Sequence, residues 1–167
     1  RKYFAACGNA RKDSMFRILQ QLLLLLKICA DPSLAYEYDS NEIPTKVKKA
    51  IRLLQMWKYE KVAIGVRRIE VADSYYRYLK QAFPERQIFY ITGDKVPCKQ
   101  RQRIVEKLRK TENGILLSTQ QSLSESMNID DVDKIILPEL HYNHAAMEQY
   151  YFGLSGIRPE ILSRWYF

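Results

Sequence analysis

The chain has 167 residues, of which 47% are hydrophobic, so it can bury one core but is too short for two full domains. Its formal net charge at neutral pH is +8. The positive charge is concentrated in residues 61 to 112, which hold 13 Lys and Arg against 6 Asp and Glu. This excess favours an acidic partner such as nucleic acid. A basic surface that only faces solvent explains it equally well. A membrane-spanning chain is excluded, because the apolar run at residues 22 to 26 is far shorter than the roughly 20 residues needed.

The first predicted element is a helix over residues 13 to 30, which Asp31 and Pro32 end. It is apolar on nearly all sides, and such a helix must be buried against something. Residues 31 to 44 have the Tyr, Asp, Ser and Pro content of a loop. We therefore predict an N-terminal helical extension over residues 1 to 44. Because Arg1 is not preceded by an initiator Met, we expect the chain to be a fragment of a longer polypeptide.

From Thr45 an amphipathic helix leads into short apolar runs that alternate with amphipathic stretches. The apolar runs, predicted as strands, are residues 62–66, 88–91, 115–117 and 135–137. Helical patterns lie near residues 69–83, 97–110, 120–126 and 143–156, and residues 161–167 fit a last strand. Such an alternation is what a parallel sheet covered on both faces requires. We predict an α/β domain over residues 45 to 167, of RecA-like or Rossmann-like architecture.

Nucleotide-binding loops are absent from the sequence, which contains neither GxxxxGK[ST] nor a GxGxxG after its first strand. The segment IFYITGDKVPCKQRQRIVEKLRK instead resembles a superfamily-two helicase pattern, with a glycine turn at Gly93 and a helix that carries Arg101, Ile104 and Leu108. LLLLLKICADPSLAY followed by PTKVKKAIRLL resembles the Swi/Snf sequence that leads into the same lobe. The resemblance implies the C-terminal RecA-like lobe of a Swi/Snf-like helicase or translocase, of a phage-type or otherwise divergent branch, with a three-layer fold.

The segment GILLSTQQSLSESMNI resembles helicase motif V, in which a strand ends in Ser118 and Thr119 and the polar turn runs to Asn128. Ligands of open α/β sheets bind at the carboxyl ends of parallel strands, where hydroxyls and backbone N–H groups can hold phosphates. The resemblance implies that Asn128 faces ATP. The alternative is that Ser118 and Thr119 only cap the next helix. The residues that the resemblance implies for contact with nucleic acid are Thr92, Gly93, Arg101, Ser118 and Thr119.

The segment QYYFGLSGIR resembles motif VI, of the form QxxxRxxRxx, and the resemblance implies that Gln149 lies on the ATP side. Its two arginines normally reach the γ-phosphate and spread the charge that develops there. Gly153 and Gly156 stand at these two catalytic positions and offer neither charge nor donor, so we expect severely impaired hydrolysis. Natural decay, deliberate inactivation and a different register, in which the helix simply ends at Gly156, all explain the two glycines.

The cysteines and histidines indicate the cellular compartment and whether the chain binds a metal ion. Three widely spaced cysteines, Cys7, Cys29 and Cys98, form no CxxC pair, which favours neither disulfides nor zinc. His141 and His144 have no third ligand nearby, so we predict no metal site in the chain itself. We expect a soluble protein in a reducing intracellular compartment, cytoplasmic or, in a eukaryote, nuclear.

Three functions fit the sequence. The first is the second motor lobe of an ATP-dependent DNA helicase, inactive alone, which needs ATP, Mg²⁺ and a Walker-bearing N-terminal lobe; RNA in place of DNA stays open. The second is a RecA-like module that binds nucleic acid without hydrolysing ATP. Its basic residues would be Lys99, Arg101, Arg103, Lys107, Arg109 and Lys110. The third is a structural α/β domain whose leucine-rich helix docks a protein partner.

Overall fold

The computed structural model describes residues 2–35, 42–93, 96–124, 129, 132–139, 143, 145 and 148–149. By its contacts the chain divides into two compact units, Arg1–Pro44 and Thr45–Phe167. No helix among the described residues is long and apolar enough to cross a membrane.

The first unit consists mainly of one long helix, α1 (Lys2–Ala30), which begins eleven residues before the predicted start at residue 13. It ends where Asp31 caps a single 3-10 turn, Pro32–Leu34, by accepting a hydrogen bond from the backbone N–H of Ser33 at 2.9 Å. The expectation that its apolar side chains are buried is wrong for most of its second half, because the large apolar side chains there are 47% to 62% exposed. These residues are Met15, Phe16, Ile18, Leu19, Leu22, Leu23, Leu24 and Leu25.

The second unit alternates helices and strands, as predicted. Its elements are α2 (Thr45–Met56), β1 (Val62–Val66), α3 (Ile69–Ala82), β2 (Ile88–Ile91), α4 (Cys98–Arg109), β3 (Ile115–Thr119), α5 (Gln120–Ser124) and β4 (Lys134–Ile136). Strand β3 runs two residues beyond its predicted end, and β4 begins one residue earlier than predicted. Of the last predicted helix the structure describes only parts, and the last predicted strand lies outside the described residues.

The four strands that lie in the described part of the chain form one parallel sheet in the order β2-β3-β1-β4, with Val62 paired to both Ile115 and Lys134. The chain steps in one direction from β1 to β2 and back in the other from β2 to β3. Right-handed crossovers therefore put α3 and α4 on opposite faces of the sheet. The predicted α/β fold, three layers around a central parallel sheet, is confirmed.

Side-chain contacts agree with these layers. Leu116 of β3 packs in one buried cluster with Val105 and Leu108 of α4. On the other face, the hydroxyl of Tyr90 in β2 donates to the carboxylate of Asp73 in α3 at 2.8 Å. Phe89, the residue before Tyr90, packs against the α4 cluster, so successive residues of β2 point to opposite helical layers, as the period of two along a strand requires. The core leaves the two ends of the sheet as the places where polar groups converge.

Candidate nucleic-acid interface

The carboxyl edge of the sheet, where the chain leaves the four strands, brings together most of the residues that the motifs single out. Ile91 of β2 pairs with Ser118 of β3, so Thr92 and Gly93, which follow β2, are neighbours of Thr119, which ends β3. Open α/β sheets bind their ligands outside this edge. Gly93 is exposed there, whereas both threonines and Ser118 are buried. A ligand at this edge would therefore meet the backbone of the turn at Gly93 before it met the hydroxyls.

Arg101 of α4 joins the turn after β2 to helix α5. Its Nε donates to the carbonyl oxygen of Val96 at 3.0 Å, and its Nη1 donates to that of Ser122 at 2.8 Å. The side chain is almost completely buried, and a Cβ added at Gly93 would lie 3.9 Å from Nη2. Arg101 therefore links Val96, which precedes α4, to helix α5. Its contact with a phosphate stays a prediction.

The hydroxyls at the end of β3 and in β2's turn have different surroundings. Thr119 directly precedes α5, and its Oγ1 forms a hydrogen bond with Oγ of Ser122. Because this bond joins two side chains and satisfies no backbone N–H of the helix, the capping alternative stays a prediction. Thr92 is fully buried, and its hydroxyl has no hydrogen-bond partner among the described residues. Such a group costs about 1–3 kcal/mol. A polar ligand atom or water admitted at this edge would lower that cost.

A second network joins the ends of β1, β3 and β4. Glu139, buried three residues after β4, accepts hydrogen bonds from the backbone N–H of Arg67 at 2.9 Å and from Nη1 of Arg68 at 3.2 Å. Gln120, directly after β3, donates from Nε2 to the carbonyl oxygens of Gly65 at 3.2 Å and Glu139 at 2.8 Å. Buried polar groups that are satisfied in this way fix the relative positions of the loops they join.

The helicase conserved C-terminal domain family matches residues 45 to 151, which is more than half of the chain and includes every strand of the sheet. The chain belongs to this family. By sequence, no curated protein matches it. The predicted RecA-like lobe of a superfamily-two helicase is thereby confirmed at the level of the family.

Solved structures agree with the family. This helicase C-terminal domain is similar to the C-terminal part of the Fun30 ATPase domain, with a TM-score of 0.62, 17% identity, and coverage of 83% of this chain and 46% of that one. It is also similar to the Sulfolobus solfataricus SWI2/SNF2 ATPase C-terminal domain, with a TM-score of 0.60, 16% identity, and coverage of 73% and 54%.

A third similar structure is the Sulfolobus solfataricus SWI2/SNF2 ATPase core in complex with dsDNA, with a TM-score of 0.65, 17% identity, and coverage of 81% and 30%. At these identities the likeness concerns the fold, which is that of a Swi/Snf-like second lobe, as predicted. The chain spans about half the length of the first two structures and less than a third of the length of the third.

The predicted ATP-side residues of the helicase C-terminal domain fall largely outside the described part of the chain. Asn128, Gly153 and Gly156 lie outside it, while Gln149 lies in a helical segment and is exposed. Within the described ranges, no group of three His, Cys, Asp or Glu residues could hold a metal ion. The roles of these four residues toward ATP stay predictions.

The sequence motifs do not predict that Gln120 and Glu139 belong to the second network. Two weaker signals could have indicated them. Gln120 follows directly on the Ser-Thr pair that ends β3, and Glu139 follows closely on the apolar run of β4. Polar residues that directly follow parallel strands meet at one edge of the sheet. The sequence alone did not reveal that they would bond to each other or to the end of β1.

Proposed function

We propose that the chain is the second motor lobe of an ATP-dependent helicase or translocase. It grips a nucleic-acid backbone at the carboxyl edge of its sheet and completes an ATP site whose Walker loop belongs to a first lobe. The observation that carries the backbone contact is that exposed Gly93 lies at the carboxyl edge of the sheet, beside the buried Thr92 hydroxyl, which has no hydrogen-bond partner among the described residues.

The partner is proposed to be duplex DNA, with RNA as the alternative ligand. A similar fold, the Sulfolobus solfataricus SWI2/SNF2 ATPase core, is known in complex with dsDNA. Backbone N–H groups at a turn without a side chain can approach phosphates closely, and such contacts hold the backbone without reading the bases. The positive charge of residues 61 to 112, which surround this edge in sequence, supports the same ligand.

The proposed share of this lobe in the ATP site rests on motif resemblance. Asn128 and Gln149 would face the nucleotide, and ATP with Mg²⁺ would be held only together with the first lobe, which supplies the Walker residues. Gly153 and Gly156 occupy the positions from which arginines would reach the γ-phosphate. We therefore propose that the lobe, as it stands, supports nucleotide-dependent closure far better than hydrolysis.

Gly93→Glu is expected to weaken binding of the chain to a 30-base-pair duplex by about tenfold, because it adds a negative charge where a phosphate is proposed to lie. A Cβ at this position would meet Oγ of Ser122 at 3.6 Å and Nη2 of Arg101 at 3.9 Å, which are ordinary contacts. The substitution should therefore leave the melting temperature nearly unchanged. Fluorescence anisotropy at low salt measures the dissociation constant.

Gln55→Glu is the matched control for this prediction. It makes the same change in net charge at an exposed position of α2, in the helical layer that packs with α3. We expect its dissociation constant to stay within about twofold of that of the unchanged chain. Equal losses of affinity in the two variants would show that only total charge matters and would refute a grip at Gly93.

A further inference from the structure

We infer that the outer face of α4 is a second surface for a nucleic-acid backbone, separate from the turn at Gly93. We call it the α4 stripe and define it as Lys99, Arg103 and Lys107. Helix α4 turns Val105 and Leu108 into the core, whereas all three stripe residues are exposed. The helix therefore divides into a buried apolar side and a basic side that faces solvent.

The spacing of the stripe suits a chain of phosphates. Its residues follow one another at every fourth position, so they form a single ridge along the helix, about 6 Å apart in rise. Phosphates of one duplex strand rise by about 3.4 Å each, so successive stripe residues match roughly every second phosphate. The ridge from Lys99 to Lys107 is about 12 Å long. At one residue for every second phosphate, the three stripe residues extend over about five phosphates of one strand.

The stripe's cations are not engaged within the protein. No hydrogen bond or ion pair of their side chains occurs in the part of the chain that the structure describes. Glu106, an exposed carboxylate of the same helix, has no such partner there either. Surface helices are commonly stabilised by opposite charges three or four residues apart. Three cations against one carboxylate leave a net positive ridge, which is complementary to an anionic polymer.

The position of the stripe continues the proposed path at the carboxyl edge. Lys99 lies six residues after Gly93 and one residue into α4, three residues after Val96, whose carbonyl oxygen accepts a hydrogen bond from Arg101. From there the helix runs back toward the amino ends of the strands, so the stripe leads away from the edge. A duplex strand gripped at Gly93 can therefore extend along α4. This path rests on the proposed function, although the stripe itself can be tested separately.

The test compares the salt dependence of duplex binding by the full 167-residue chain and by its Lys99→Gln, Arg103→Gln, Lys107→Gln variant. Each phosphate contact contributes about 0.9 to the slope of log K against log salt, so losing three contacts lowers the slope by about 2.7. Between about 50 and 200 mM salt, the affinity of the unchanged chain should thus fall about 40 times more than that of the variant. Binding with an unchanged slope overturns the inference alone, whereas the absence of any binding at low salt overturns both the inference and the proposed function.

Lys49→Gln, Arg52→Gln, Lys80→Gln is the matched control, because it removes three exposed cations from α2 and α3. It should keep the slope of the unchanged chain; a slope lowered as in the stripe variant would contradict a localised surface. Polyglutamate is added as a competitor at equal charge. We expect that polyglutamate does not displace the duplex. If it displaced the duplex as well as DNA of equal charge does, the α4 stripe would be a surface for acidic proteins. Gly93→Glu tests the edge alone, so failure of the stripe leaves the proposed function standing.

Discussion

Gly153→Arg together with Gly156→Arg is expected to raise nucleic-acid-stimulated ATP hydrolysis by about a thousandfold or more when the chain acts with the proposed Walker-bearing first lobe. The two positions follow Gln149 at the spacing of the arginines in motif VI. Guanidinium groups there would neutralise charge that develops on the transferred phosphoryl group, a gain of about 4 kcal/mol in transition-state stabilisation. Steady-state release of phosphate, with and without duplex DNA, measures the change.

Gly153→Ala together with Gly156→Ala separates charge from helix stability. Alanine stabilises a helix by about 1 kcal/mol relative to glycine at each position but supplies no donor, so turnover should not rise. A gain with arginine and none with alanine would support both the register of motif VI and the role of the lobe in hydrolysis. No gain with arginine would remove the basis for the motif VI assignment and favour a nucleic-acid-binding module that does not hydrolyse ATP.

Arg86→Met is expected to lower the free energy of unfolding by about 3 kcal/mol, because the guanidinium joins helix α2 to the segments that precede β1 and β3 at the amino edge of the sheet. Its Nη1 donates to the carbonyl oxygen of Leu54 at 3.1 Å, while Nη2 and Nε donate to those of Glu60 and Asn113. Burial lowers the pKa of Arg86, and the Glu60 carboxylate partly opposes that shift. The net loss is therefore smaller than the sum of three charged hydrogen bonds. Urea denaturation measures it.

Two further variants sharpen the test of Arg86. Arg86→Lys keeps the charge but can reach fewer of the three carbonyls, so it should recover only part of the lost stability. Arg52→Met removes an exposed arginine of α2 and should change the free energy of unfolding by less than about 0.5 kcal/mol. If Arg86→Met were as stable as Arg52→Met, Arg86 would not hold the amino edge together.

The strands were predictable because their apolar residues are consecutive. Runs such as residues 62 to 66 are buried on both faces of a parallel sheet, and this burial is written directly in the sequence. Strand ends were less certain: β3 continues through Ser118 and Thr119, since polar residues can extend a strand at the edge where ligands bind. The local sequence pattern therefore predicts the layers of the fold but not the residue at which each strand ends.

Hydrogen bonds between residues that are far apart in the sequence could not be predicted from local sequence patterns. Arg101 belongs to a helicase-like segment and was predicted to contact nucleic acid, yet the structure buries its guanidinium against two backbone carbonyls. The bond between Glu139 and Arg68 joins residues 71 positions apart, which no spacing rule within one element can predict. The exposed leucines of α1 were expected to be buried, because a local pattern records apolar character but not which surface covers it.

We propose that this chain contacts a nucleic-acid backbone without reading its base sequence. The most direct measurement is the binding of the full chain to two 30-base-pair duplexes of unrelated sequence, followed by fluorescence anisotropy over a range of salt concentrations. We predict dissociation constants that agree within about twofold and a linear decline of log K with log salt, with a slope of about −3 or steeper. A flat salt dependence, or a preference of more than about tenfold for one duplex, would contradict the account.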